Sequence, residues 1–371
     1  MLLTARHHGC CALCSVNSLE QPVELRAWEK FVNISINRLG AVVCLAIAPT
    51  TSWACATCGC TINSDAAMGY SATAGWRVNL EYTYIDQDEL RIGTRTATPA
   101  EVVNNPSNPA LGGGEIEKDT INRYLTLGVN YRPNADWNFN LLVPYVSRSH
   151  TTYGTQLQPY SSAETAPDQI SGASVSNLGD VKLLGNYQGL LPTHNLGLQL
   201  GVKLPTWRYG TAVDFDNGPN AGSPLDASLQ AGTGSTDVIV GAYYYQAVSQ
   251  DFDIFVNGQF QSAVAHKQDQ PGNDFRPGNS STFSLGLRYE ANPKWIPQVQ
   301  LNFLHKSPDQ GALADTADTV GTVAYISPGL TVQIEHTLHA YGLVQLPVFS
   351  NLDGYQLFPH WTATLGLSYA L

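Results

Sequence analysis

The sequence predicts an all-β protein, a transmembrane antiparallel β-barrel of about twelve strands, and three observations carry that prediction. First, the last eleven residues alternate strictly. Trp361, Ala363, Leu365, Leu367, Tyr369 and Leu371 fall on one face, and Thr362, Thr364, Gly366, Ser368 and Ala370 on the other. A strand places successive side chains on opposite faces, and a barrel between lipid and a polar lumen needs that pattern in every strand. Second, only 13% of the residues are charged, against roughly 25% in soluble domains. Yet the body of the chain has no apolar run long enough for a spanning helix, and the mean hydropathy is only -0.13. Third, short turns and long polar connections alternate along the chain.

Alternating segments are expected at 75–86, 119–131, 136–147, 179–187, 195–204, 237–247, 251–264, 281–290, 296–305, 320–326, 330–344 and 361–371. Tight Pro-, Asn-, Asp- or Gly-rich turns follow every second strand: Arg132-Pro133-Asn134-Ala135-Asp136, Leu191-Pro192-Thr193-His194, Ala291-Asn292-Pro293-Lys294 and Ser327-Pro328-Gly329. Long connections occupy 87–118, 148–178, 205–236, 265–280, 306–319 and 345–360. In outer-membrane barrels the short turns face the periplasm and the long loops face outside, and an even strand count returns both termini to the periplasm. These expectations place the chain in the outer membrane of a Gram-negative bacterium, surrounded by lipid.

The N-terminus reads as an export signal. Lys30 and Arg38 precede an apolar stretch, Leu39 to Ala48, too short to span a membrane. Ser52-Trp53-Ala54 then supplies small residues for cleavage after Ala54. Residues 1–54 are therefore read as a signal peptide whose first 25 or so residues are a mis-annotated extension. Residues 55–74 form a Cys-rich periplasmic segment, and 75–371 the barrel. Removing 1–54 takes away four basic residues (Arg6, Arg26, Lys30, Arg38) and three acidic ones (Glu20, Glu24, Glu29), leaving a net charge of -12. An acidic exported barrel has no basis for binding nucleic acid, and its field favours cations or neutral solutes.

Phase assigns the faces. Trp76, Val78, Leu80, Tyr82 and Tyr84 in the first strand, and Trp137, Phe139, Leu141, Val143 and Tyr145 in the third, point to lipid. So do Phe252, Ile254, Val256 and Phe260, and Leu330, Val332, Ile334 and Leu338. The lumen-lining candidates on the opposite phase are Arg77, Glu81, Lys182, Gln199, Lys203, Asp253, Gln259, Arg288, Gln300 and Glu335. Charge of both signs there reads either as a hydrated lumen or as pairs that hold a closed interior together.

Cys55-Ala56-Thr57-Cys58-Gly59-Cys60 is the sharpest local motif, and no cysteine follows it. Three thiols suit a soft ion such as Cu(I) or Zn(II). Equally, Cys55 and Cys58 could pair in the oxidising periplasm, leaving one sulfur for a lipid or a thiol-bearing partner. No cofactor beyond such an ion is implied, and any protein partner would be a periplasmic redox or metal-handling protein. Asp214-Phe215-Asp216-Asn217-Gly218 is out of register with a calcium loop and reads as a solvated turn. Gly232-Thr233-Gly234-Ser235-Thr236-Asp237 leads into a strand rather than a helix, so it is no phosphate site. An enzyme is not expected: His305 and His336 fall on the apolar phase of non-adjacent strands with no matching Ser.

Several motifs occur together in order. They are Asn177-Leu178-Gly179-Asp180-Val181-Lys182-Leu183, Gly201-Val202-Lys203-Leu204-Pro205-Thr206 and Leu229-Gln230-Ala231-Gly232-Thr233-Gly234-Ser235-Thr236-Asp237. Ser327-Pro328-Gly329-Leu330, Val344-Gln345-Leu346-Pro347-Val348 and Gly354-Tyr355-Gln356-Leu357 complete the set. This ordered set resembles the outer-membrane transporter-like family associated with meta-pathway phenol degradation, itself distantly similar to FadL-type channels. The resemblance implies a channel that passes small, often hydrophobic or aromatic, solutes by passive or facilitated diffusion. It supplies no substrate-binding residues. The alternative from the residues themselves is an interaction barrel whose cysteines are the working part.

Overall fold

Segments that alternate in the sequence pair edge to edge in the structure, a computed structural model that describes residues 74–104, 116–153, 170–210 and 212–371. The signal segment and Cys55, Cys58 and Cys60 lie outside the described residues.

The strands are β1 (Gly75–Gly93), β2 (Arg95–Thr96), β3 (Ile116–Arg132), β4 (Trp137–Tyr153), β5 (Ile170–Leu178), β6 (Val181–Tyr187), β7 (Leu196–Leu204) and β8 (Ser235–Ala247). They continue with β9 (Phe252–His266), β10 (Asp269–Gln270), β11 (Asn273–Asp274), β12 (Ser280–Tyr289), β13 (Trp295–Lys306), β14 (Gly321–Gln333) and β15 (Leu338–Ala370). One short helix, α1 (Pro99–Asn104), follows β2. Its cap reads Thr98-Pro99-Ala100-Glu101, and the Glu101 amide donates to Thr98 Oγ1 at 3.3 Å, a capping-box start with Pro at the first helical position.

The ladder runs β1-β3-β4-β6-β7-β8-β9-β12-β13-β14-β15, every neighbour antiparallel, and closes by pairing β15 with β1. β15 doubles back on itself. Its first arm pairs with β14 and its second with β1, and Leu352 is the partner of both Gly321 and Gly93. The Ala370 amide donates to the Thr337 carbonyl, and Thr362 Oγ1 donates to Gln345 Oε1. Both pairs are centred between Asp353 and Gly354, where Gly354 takes φ 63°. A Cβ at Gly354 would also strike Asp318, so only glycine fits this fold-back. With β15 counted as two arms, twelve strand positions close the barrel.

Three sequence expectations are corrected. Ser327-Pro328-Gly329 is not a turn: all three residues lie inside β14 and face Gln300, Val299 and Gln298 of β13. Pro328 cannot donate to the ladder, and the pairing of β14 with β15 skips from Ile326 to Gly329. The turn falls instead at residues 334–337, which carries Glu335 and His336 off the strands. Second, the expected loop 345–360 is the paired outer half of β15. Third, the position expected to hold one strand at 179–187 holds two. β4 pairs along its outer half with β5 and along its inner half with β6, the change falling at Gly179-Asp180. Several strands also run further outward than their alternation suggests, β1 to Gly93 and β4 to Tyr153.

The outer surface carries the expected apolar band. Leu80, Leu127, Leu183, Leu200, Leu285 and Leu367 are among its exposed apolar residues. Aromatics rim both edges. Near the short turns Trp76 stacks on Tyr131 at 4.3 Å, Trp137 meets Tyr187 at 4.8 Å, and Phe252 meets Tyr289 at 5.0 Å. Toward the long loops Tyr84 meets Trp361 at 5.7 Å and Phe283 meets Phe303 at 6.1 Å. Trp76 to Tyr84 is eight steps, about 27 Å of strand, or about 21 Å along the membrane normal at a tilt of about 40°. That matches a hydrocarbon core between two interfacial girdles. Beyond the outer girdle the wall continues into apolar clusters. Leu90, Val102, Ile116, Tyr153, Tyr355 and Leu357 form one, and Ala173, Val175, Phe215, Leu225 and Leu229 another.

Leu367 lies opposite Leu80, midway between the girdles. Leu367→Arg is expected to cost roughly 2–4 kcal/mol of folding free energy, measured by reversible urea unfolding into lipid vesicles. The same substitution at exposed Thr337 in the 334–337 turn should change it little.

Candidate functional site: the barrel interior

The alternation that sends leucine outward sends amides and hydroxyls inward. Asn130 Nδ2 donates to Asn138 Oδ1 at 2.6 Å and to Asn140 Oδ1 at 2.5 Å. Gln259 Nε2 donates to Gln199 Oε1 at 2.5 Å, and Gln199 Nε2 to Asn186 Oδ1 at 2.9 Å. On the other side Gln300 Nε2 donates to Gln298 Oε1 at 3.1 Å, and Asn302 Nδ2 to Ser327 Oγ at 2.8 Å. Thr83 and Thr364 hydroxyls meet at 3.1 Å across the closing seam. Amides and hydroxyls thus pair with one another over much of the inner wall, as burial favours, although Asn79 Oδ1 and Asn302 Oδ1 are buried without a partner among the described residues.

The charged candidates fall into separate groups. Arg77 and Glu81 lie on β1, where Tyr341 Oη donates to Glu81 Oε2 at 2.7 Å. Asp253 faces Arg288 across the β9–β12 ladder, and Arg288 pairs with Glu290 at 3.0 Å. Lys182, Gln199, Lys203 and Gln259 come together on β6–β9, while Gln300 sits on β13, separated from β9 by β12. Glu335 is not in the interior at all, being exposed in the 334–337 turn. His305 Nδ1 lies 3.0 Å from Thr322 Oγ1.

Lys203 organises the largest polar cluster. Its Nζ lies 3.0 Å from Asp237 Oδ2 and 3.4 Å from Asp180 Oδ2, and all three side chains are buried. It also donates to Ser235 Oγ at 3.0 Å and to Thr233. Thr233 in turn donates to Asp180 Oδ2 from its amide and its hydroxyl, each at 3.0 Å. A buried charge left without its partner costs about 3–5 kcal/mol, so this cluster pins both ends of loop 205–234 to the wall. The Gly-Thr-Gly-Ser-Thr-Asp motif therefore has a role: it returns the loop to β8 and supplies two hydroxyls and a carboxylate to Lys203.

Arg148 fixes the returning part of the same loop. Buried on the inner face of β4, it donates to the Leu229 carbonyl, to the Gln230 carbonyl at 3.3 Å, to Asn122 Oδ1, and to Tyr124 Oη at 3.0 Å. Phe215, Leu225 and Leu229 of the loop pack against Ala173 and Val175 of β5. Gln230 Nε2 closes the loop on itself through the Leu225 carbonyl at 3.0 Å. Asp214-Phe215-Asp216-Asn217-Gly218 is part of this packing, with Asn217 Oδ1 accepting from the Gly172 amide at 2.9 Å. The loop is folded inward against the inner face of β4 and β5 at the outer end of the barrel. The sequence reading missed Arg148, Asp180, Asp237 and Gln261; continuing the period-two phase past Tyr145 would have put Arg148 inside.

No protein-family model matches the sequence, and no curated protein sequence matches it. Among solved structures, the chain is similar to the COG4313 outer membrane channel from Pseudomonas putida F1. The two are 12% identical with a TM-score of 0.55, covering 81% of this chain and 96% of that one. The chain has the fold of an outer-membrane β-barrel. The barrel also aligns with the toluene transporter TbuX of Ralstonia pickettii, at 10% identity, TM-score 0.41 and coverage of 84% and 94%. With a Pseudomonas aeruginosa FadL homologue it is 13% identical at TM-score 0.35, covering 80% and 90%.

Outside the membrane span, two carboxyls at the outer end hold the apolar cluster to β15. Glu117 Oε2 accepts from the Leu357 amide at 3.2 Å, and burial pushes its carboxyl up to about 7 despite nearby His150. Asp318 Oδ1 accepts from the Tyr355 amide at 2.9 Å, and burial together with Asp315 raises it as well. Groups raised on folding favour the fold while protonated. Their contribution is full below about 4.5 for Glu117 and is lost as pH rises through about 7. Hydrogen exchange at Tyr355 and Leu357, corrected for intrinsic rate, is therefore expected to be faster at pH 8 than at pH 5. The double variant Glu117→Gln, Asp318→Asn should remove that difference.

Proposed function

We propose that the barrel is a passive channel for small solutes across the Gram-negative outer membrane. The observation that carries this reading is the closed polar inner wall, on which amides and hydroxyls pair beside clustered charges, beneath a loop folded into the mouth. A wall of this kind exchanges hydrogen bonds with a passing solute without the desolvation cost of bare charge. The apolar clusters at the outer end favour a solute with an apolar body, aromatic molecules included, and the amide wall below favours one that also carries a hydrogen-bonding group. Transport needs no chemistry. Selection comes from the width left beside loop 205–234 and from the wall's donors and acceptors.

Single-channel recording of the refolded chain in a planar bilayer tests this. Discrete conductance steps are expected, and Arg148→Ala, which frees the Leu229 and Gln230 carbonyls of their donor, should enlarge the steps or lengthen the open times. A wild-type barrel that is folded by heat-modifiability yet silent to ions, and impermeable to small neutral solutes in vesicles, would overturn the reading.

A further inference from the structure

At the outer end the ladder has a step. β5 pairs with β4 alone, and the pairing of β6 with β7 ends outward at Val181 opposite Leu204. The chain leaving β7 then runs past β5, and an open cleft of about 960 Å³ lies beside it. Asn177 of β5 and Thr206, Trp207, Arg208, Tyr209 and Ala212 line this cleft. Its size suits a small molecule.

The lining is held from behind. Thr206 Oγ1 donates to the Gly179 carbonyl at 3.2 Å and accepts from the Val181 amide at 3.1 Å. Lys267 Nζ donates to the Pro205 carbonyl at 3.0 Å and stands 5.1 Å from the centre of the Tyr209 ring. The returning part of the loop packs against the same segment: Gly234, at φ 69°, would strike the Tyr209 ring if it carried a Cβ. Two side chains are left over. Trp207 is 45% exposed. Arg208 is exposed too, and its guanidinium makes no hydrogen bond or ion pair with another described residue. Other cations of the outer end are matched, Arg91 with Glu89, Arg95 with Glu101 and Lys306 with Asp309. Asp180, which lies beside Gly232 under this segment, is already engaged by Lys203 and Thr233. Asn177 Oδ1 accepts from the Leu178 amide at 3.0 Å, which leaves its Nδ2 to donate. No carboxylate lines the cleft. It therefore offers positive charge and donors beside an aromatic face.

We propose that this cleft binds a small aromatic carboxylate, its ring against Trp207 and its carboxylate on the Arg208 guanidinium. A guanidinium meets both oxygens of a carboxylate at once, and an aromatic ring packs well on an indole face. A hydrocarbon would use only the indole, and a simple anion only the guanidinium. That the bound molecule then enters the lumen rests on the channel reading above; binding in the cleft does not.

Equilibrium dialysis of radiolabelled benzoate against the refolded barrel in detergent tests this without requiring conduction. Saturable binding is expected, with toluene, acetate and inorganic phosphate each competing far more weakly than unlabelled benzoate. Arg208→Gln should weaken binding severalfold and Arg208→Lys less. Trp207→Ala should weaken it as well, while Arg95→Gln, which removes an exposed but ion-paired guanidinium, should leave it unchanged. Heat-modifiability establishes that each variant is folded. No saturable binding to the folded wild type, no change in Arg208→Gln, or an equal loss in Arg95→Gln would overturn the site. Phosphate competing as well as benzoate would overturn the aromatic assignment in favour of a bare anion site. A barrel that binds benzoate through Arg208 yet stays silent in bilayers would keep the cleft and remove only the channel reading.

Discussion

In hydrocarbon an unpaired backbone amide or carbonyl costs several kcal/mol, and a sheet with an open edge has a whole row of them. The pairing of β1 with the final arm of β15, from Arg77 opposite Ala370 to Gly93 opposite Leu352, removes the last such edge. The rest of the structure depends on that seam. Antiparallel closure requires an even number of strand positions, which β15 supplies by folding back at Asp353-Gly354. It also brings both described ends of the barrel chain to the side of the short turns, where the Leu371 amide donates to the Trp76 carbonyl at 2.9 Å. The band of leucines and the two aromatic girdles follow from the same closure, because a closed ladder leaves side chains only two directions to point.

Inside, the physics reverses. No lipid is available to the inward face, so polar groups there pair with one another, with water, or with backbone that has been folded in. Loop 205–234 is that backbone. Its carbonyls at Leu229 and Gln230 take the Arg148 guanidinium, and its return segment brings Thr233 and Ser235 to Lys203. A bidentate or forked Arg contact holds carbonyls in fixed directions, and a lysine between two carboxylates is stable in burial only while both remain. The loop is therefore part of the wall, and it narrows the mouth where the apolar clusters of the outer end begin.

Local signals misled where the closed ladder overrode them. Ser327-Pro328-Gly329 has turn chemistry, yet continuing β14 through it costs only the ladder bonds skipped between Ile326 and Gly329, while a turn there would end the strand too early to pair with all of β13. Pro347 lies within the paired part of β15 on the same terms. The true turn at 334–337 has no proline or glycine to announce it. The outer half of β15 was hidden for another reason: above the membrane its neighbours are apolar on the inner side, as with Leu352, Leu357 and Phe358, so the period-two contrast disappears. Asp353-Gly354 was the one local mark of the fold-back, and Thr98 through Glu101 the one mark of the helix.

Lipid on one side and polar neighbours on the other write a period of two into every membrane-spanning strand, and the sequence by itself determined the barrel, its outer face, its parity and the side of its long loops. The inward phase of Lys182, Gln199, Lys203, Gln259 and Gln300 was legible for the same reason. Which of them share a wall, and which are packed away from water, is a matter of register between strands up to hundreds of residues apart. Thr83 meets Thr364, and Lys203 meets Asp180 and Asp237, only because the ladders align them. Only the tertiary structure decided that loop 205–234 turns inward onto Arg148. An aperiodic loop carries no repeating contrast between two solvents, and its course is set by the few buried partners it finds.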